Sequence, residues 1–153
     1  MKSTLVKRAA VLVAVAGSCA VGALVAAAAG KPVLWGAGDV KWTDVPSVKG
    51  AQIAPLWGDP KTGAYGALKK IAAGSSLALH THSQDQKVVV VTGTITLHIE
   101  GGETKDMGPG SYSAIPADTP HSADCKAGTD CIYFEEQPGP SDIKFVEKPA
   151  AKK

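Results

Sequence analysis

The chain has 153 residues, 44% of them hydrophobic and 20% charged, enough for one compact core and too few for two domains of ordinary size. Its 16 basic and 14 acidic side chains leave a formal charge of only +2, and the lysines are scattered. That balance argues against a phosphate-tracking surface, so no nucleic-acid partner is expected.

In chain order, the first segment differs in kind from the rest. Lys2, Lys7 and Arg8 precede an almost uncharged apolar run from Ala9 to Ala29, and Gly30-Lys31-Pro32 follow. This is the layout of a secretory signal peptide over residues 1–29, with cleavage after Ala29. A run of about 20 apolar residues is also long enough to span a bilayer, so an uncleaved N-terminal anchor is the alternative and the only membrane contact expected. Either way the remainder is expected to be exported, to the periplasm or beyond. Cys19 follows Ala-Gly-Ser, but Ala16 stands where a lipoprotein signal would carry a larger aliphatic residue.

Residues 30–50, rich in Gly, Pro and Lys, read as an arm in which "DVKWTDVPSVKG" is the one stretch fit for a short edge strand. From residue 51 to 146, turn clusters (WGDPKTG, AAGSS, EGGETKDMGPG, PADTP, KAGTD) separate short runs: AYGALKKI, SLALHTH, KVVVVTG, TITLHIE, SYSAIP and CIYFEEQ. These are rich in Val, Ile, Thr and Tyr, several alternate with period two, and no helical period appears after residue 30. The spacing predicts an all-β sandwich or barrel. Residues 147–153 form a basic tail.

His80 and His82 stand two apart in one of these runs. On a strand such residues share a face, here with Ala78, and two neutral imidazoles can converge on a metal ion. A surface strand that happens to hold two histidines is the plainer reading of that dipeptide alone. His121 adds a third imidazole after the turn Pro116–Pro120, on a face with Ala123 and Cys125.

The spacing now resembles a known family. Gly74, His80, His82, Gln86 and Gly93 resemble the first motif of the cupin superfamily, with Gln86 where glutamate is usual. Gly110, Pro116, Asp118, His121 and Cys125 resemble the second, with Asp118 for a glycine and Cys125 for an asparagine. The resemblance implies a six- to eight-stranded jelly roll, the double-stranded β-helix of RmlC-like proteins. It implies one divalent transition metal held by His80, His82, Gln86 and His121, with iron first and manganese, nickel, copper or zinc as alternatives. Three imidazoles and an amide are all neutral, so the ion would keep its full charge and favour an anionic ligand. The expected partner is a small molecule, and the family's habit of pairing through sheet edges and outer faces implies a homodimer.

Other residues draw plainer readings. Asp85 is read as a solvated turn carboxylate, His98 as a solvent-facing or edge histidine, and Trp57 and Tyr65 as parts of the turn and barrel wall. Cys125 and Cys131 flank a five-residue connection of the kind that closes a β-hairpin, close enough for a disulfide; a Cys125 thiolate near the metal is the alternative. No nucleophile elbow, phosphate loop or dinucleotide fingerprint is present. The functional expectation is a metal-dependent cupin, dioxygenase-like, acting on a small anionic substrate. A non-catalytic periplasmic module holding a metal or small ligand is the alternative, motivated by the lack of an obvious inward acid or base. A metal-free, purely structural barrel is the third reading.

Overall fold

The computed structural model describes residues 31–146. By internal contacts the chain divides into Met1–Leu34 and Trp35–Lys153. Of the first unit only residues 31–34 are described, exposed and without regular structure. The signal segment, residues 1–29, and the tail, residues 147–153, lie outside the described residues, among which no helix is long and apolar enough to cross a membrane.

In the second unit a 3₁₀ turn, Ala37–Asp39, precedes β1 (Thr43–Asp44), β2 (Ala51–Gly58), β3 (Tyr65–Ile71), β4 (Ser76–Thr81), β5 (Gln86–Thr92) and β6 (Ile95–Ile99). There follow β7 (Thr104–Met107), β8 (Tyr112–Ile115), β9 (His121–Cys125), β10 (Cys131–Gln137) and β11 (Lys144–Phe145). They form two antiparallel sheets, ordered β1-β2-β3-β10-β5-β8 and β11-β4-β9-β6-β7. This all-β jelly roll has eleven strands rather than six to eight; β1 and β11 are two-residue additions at sheet edges, and β7 is a further short edge strand.

The core lies between the sheets, where Ile71, Val90, Ile95, Met107 and Ala123 pack with Leu77, Leu97 and Tyr133. Period-two alternation chooses the inward set: Gln86, Val88 and Val90 on β5, and Cys131, Tyr133, Glu135 and Gln137 on β10. Residues 51–58 were absent from the sequence-read strands because Pro55 punctuates them. The sheet absorbs it at a register shift between Pro55 and Trp57, on a strand whose other neighbour pairs only through Gln52 and Ile53. "TKDM", read as part of a turn, forms β7, a charged edge strand.

The connection between Cys125 and Cys131 is not a β-hairpin. Cys125 ends β9 in one sheet and Cys131 begins β10 in the other, so the chain crosses between sheets. The two form a disulfide with α-carbons 5.8 Å apart, which excludes the free thiolate. Beside it, Gly93 has φ +72°, and a β-carbon there would come within 2.9 Å of Cys131. Closing so short a loop stabilises by about 2 kcal/mol, so Cys125→Ala/Cys131→Ala should lower the unfolding free energy read from urea titrations by that amount, with a steeper slope as the unfolded chain loses its constraint.

Candidate functional site

β4 carries His80 and ends one residue before His82, and β9 opens with His121 directly across from His80. A bulge between Leu77 and His80 resets the alternation of β4. Leu77 therefore turns toward the core and Ala78 is exposed, which corrects the expectation that Ala78 shares the histidine face. The turn before β9 is pinned to the first motif: Asp118, at φ +56°, donates its amide to the His82 carbonyl at 2.8 Å. Asp can occupy the left-handed region more readily than most residues, so it serves where the family motif has glycine. Asp85, exposed as expected, accepts the Ala117 amide at 2.8 Å and fixes the same turn.

The three imidazoles are buried, and their candidate ligand atoms lie within 4.8 Å of one another. The Nδ1 atoms of His80 and His121 meet the carbonyls of Ala78 (2.7 Å) and Thr119 (2.8 Å). Nδ1 of His82 meets the Asp142 carbonyl. A carbonyl can only accept, so each Nδ1 carries the proton and each Nε2 keeps a lone pair. Burial pushes all three below their ordinary value, His80 to about 4, against the opposing pull of these backbone hydrogen bonds. Neutral imidazoles with free Nε2 atoms are the form that binds a transition metal, so the cluster could hold one ion.

Gln86 is buried and lines the same cavity. Its Nε2 donates to Glu135 Oε2 at 3.0 Å, which leaves the amide oxygen for another partner. Glu135, 1% exposed, is the residue the sequence reading missed. Its Oε1 accepts the Tyr65 hydroxyl at 2.5 Å and pairs with Lys69 Nζ at 2.7 Å, and Gln137 Nε2 lies 3.3 Å away. Burial and the Glu135 charge push the Tyr65 phenol well above its ordinary value, so it stays protonated. The signal was present in CIYFEEQ: four residues after an inward Cys131, Glu135 must also face inward.

Tyr65 is therefore an interior polar group rather than a wall residue, and the presumed lack of an inward acid or base does not hold. Trp57 lies on the outer face over Gly66, where a β-carbon would fall 2.1 Å from its indole nitrogen. His98 is surface-facing as expected, bonded to Asp124 (2.9 Å) and Thr104 (3.1 Å). One cavity of about 310 Å³ joins the histidines, Gln86, Glu135 and Lys69 to the core.

The fold is the jelly roll of RmlC-like cupins, and comparison with solved structures finds the same fold. The chain is similar to the polyketide cyclase RemF from Streptomyces resistomycificus, at 21% identity over 78% of this chain and 88% of that one, with a TM-score of 0.63. It is similar to KdgF from Halomonas sp. (23% identity, 69% and 94% covered, TM-score 0.58). An RmlC-like cupin from Ralstonia eutropha JMP134 matches at 23% identity over 68% of this chain and 66% of that one, TM-score 0.56. At such identities the likeness is one of fold. The chain belongs to the family described as a domain of unknown function, DUF4437, which matches residues 26–137. No curated protein matches it.

The depressed imidazoles set a pH dependence for the metal-free protein. Between about 6.5 and about 4 an unfolded His80 takes up a proton that the folded one refuses. Stability should therefore be full above that window and fall with pH through it, as urea titrations at successive pH values would read. A His80→Gln variant should flatten this fall.

Proposed function

We propose that this chain is an exported, metal-dependent cupin enzyme that acts on a small anionic molecule inside its barrel. The observation that carries this reading is the sharing of one cavity by three neutral imidazoles and the Glu135–Lys69 pair, with the buried Tyr65 hydroxyl bonded to Glu135 from behind. His80, His82 and His121 would hold the ion through Nε2, with the Gln86 amide oxygen as fourth ligand. Iron is the first choice, with manganese, nickel, copper or zinc as alternatives. Such an ion supplies a Lewis acid to a substrate oxygen and, if it is iron, a route to oxygen chemistry. The chain's own part is proton movement. The Glu135 carboxylate, which lines the cavity, is the proton acceptor; the Tyr65 hydroxyl behind it donates a hydrogen bond to that carboxylate and Lys69 pairs with it, so both hold it in place. Export is supported by the charged and apolar layout of residues 1–29 and by the Cys125–Cys131 disulfide, a bond that persists in oxidising compartments.

Metal-assisted proton transfer uses the histidines, Gln86, Glu135 and Lys69 of the cavity together. A dioxygenase-like oxidoreductase is the second reading, favoured by a donor set of three imidazoles that would hold an iron ion able to supply oxygen chemistry. Protein recovered from the periplasmic fraction with Gly30 at its N-terminus should contain near-stoichiometric transition metal by elemental mass spectrometry. His80→Ala/His121→Ala should contain none, and metal retained there would sink the assignment. Glu135→Gln should keep the metal and lose about 10²- to 10⁴-fold in turnover. Zinc-loaded turnover of carbonyl acids without oxygen uptake supports proton transfer. Turnover with iron alone, consuming oxygen with phenolic, thiol or β-dicarbonyl compounds, supports the dioxygenase. Binding without either gives the non-catalytic module.

Gln86→Glu tests the fourth ligand. The new carboxylate would lie about 3 Å from Glu135, and two such charges share a proton. The metal-free variant should lose stability at neutral pH and regain it with Mn²⁺, which it should bind more tightly than wild type. Unchanged Mn²⁺ affinity would remove Gln86 from the ligand set.

A further inference from the structure

The interior changes character along the barrel. On β9 the inward series runs His121, Ala123, Cys125, and the facing residues of β6 are Ile99, Leu97 and Ile95. On β5 it runs Gln86, Val88, Val90, opposite Glu135 and Tyr133 where it pairs with β10. Four residues of strand, about 13 Å, separate His121 from Cys125 of the disulfide on β9. The cavity follows this gradient, from the histidines to Ile95 and Met107. Beyond the cluster its inner wall is mainly aliphatic. Lys69 and Lys70 are the cations of its lining; Glu135 answers the charge of Lys69, and Lys70 Nζ lies 4.9 Å from the centroid of the Trp42 ring. Ser113, opposite Val88, contributes a hydroxyl.

We propose that the ligand of this barrel is an organic acid with an apolar body, an alkyl or aryl chain lying along Val88, Val90, Leu97 and Met107, with its carboxylate at the histidine end. This rests on the reading of the histidine cluster as the place where a metal receives an anionic head. The body follows from the wall. A sugar acid or polyol would set hydroxyls against aliphatic side chains that cannot hydrogen-bond, each such group costing about 1–3 kcal/mol. A methylene there gains instead, by removal of apolar surface from water on both partners. A volume of about 310 Å³ is at the small end of ligand sites, so the acid is compact and its length is limited by that volume.

The test uses zinc-loaded and metal-free protein, residues 30–153, titrated calorimetrically with straight-chain alkanoates from butanoate to dodecanoate, and with gluconate as a polar acid. Affinity should tighten by up to about fourfold per added methylene and then stop at a definite length, with gluconate far weaker than octanoate. Leu97→Phe, which fills the far end, should shorten that limiting length; Met107→Ala, which empties it, should lengthen it, and zinc content should stay at the wild-type value in both. A flat series, or gluconate bound as tightly as octanoate, overturns the inference. Zinc binding is read separately by elemental analysis of the same samples. If zinc fails to bind while the length dependence persists in metal-free protein, the reading of the histidine cluster falls and the assignment of the apolar body stands.

Discussion

A carboxylate sealed between two β-sheets is unstable unless its charge is answered, and the interior of this barrel is organised around answering Glu135. Moving such an ion out of water costs several kcal/mol even after relaxation. Four side chains from three strands meet it: Lys69 with a charge, and Tyr65, Gln86 and Gln137 with protons. These contacts hold Gln86 by its nitrogen and Tyr65 by its hydroxyl. They also tie β3, β5 and β10 together through their inner faces, in addition to the ladders that join them through the backbone. The histidines require a different answer. They are kept neutral by burial and oriented by carbonyls, so the charged and neutral halves of the polar end meet at Gln86.

Much of this was legible in the sequence, and the reasons are particular. Histidines two apart, a third after a Pro-Ala-Asp-Thr-Pro turn, and glycines at fixed distances gave the fold, because a strand's alternation makes spacing equivalent to direction. Pro55 and the charged run "TKDM" hid two strands, since edge strands tolerate proline and charge that a central strand does not. The bulge at Leu77–His80 has no local signature. It is set by how β4 meets β9, so the inward face of β4 could not be read from parity alone.

Glu135 was missed for another reason. Acidic residues in a short strand are read as solvent-facing by default, since burial without partners is prohibitive. Its partners Tyr65 and Lys69 lie some seventy residues earlier, and nothing in either segment announces the pairing. The disulfide was foreseen as a bond but placed in a hairpin, because a five-residue connection fits a hairpin and an intersheet crossing equally well.

The orienting partners of the three imidazoles are all main-chain oxygens, and this makes the protonation pattern of the cluster a property of the fold rather than of any side chain. No alanine substitution removes these carbonyls themselves. The three are not equivalent, however. His80 and His121 bond carbonyls two residues back on their own chain segments, whereas His82 depends on Asp142, sixty residues away. That segment is tethered by Asp142 to Ser83 and by the Ser141 amide to the Pro60 carbonyl. Of the three, His82 alone would exchange its tautomer when the 139–143 segment shifts, so a backbone movement remote in sequence reaches the cluster through one nitrogen.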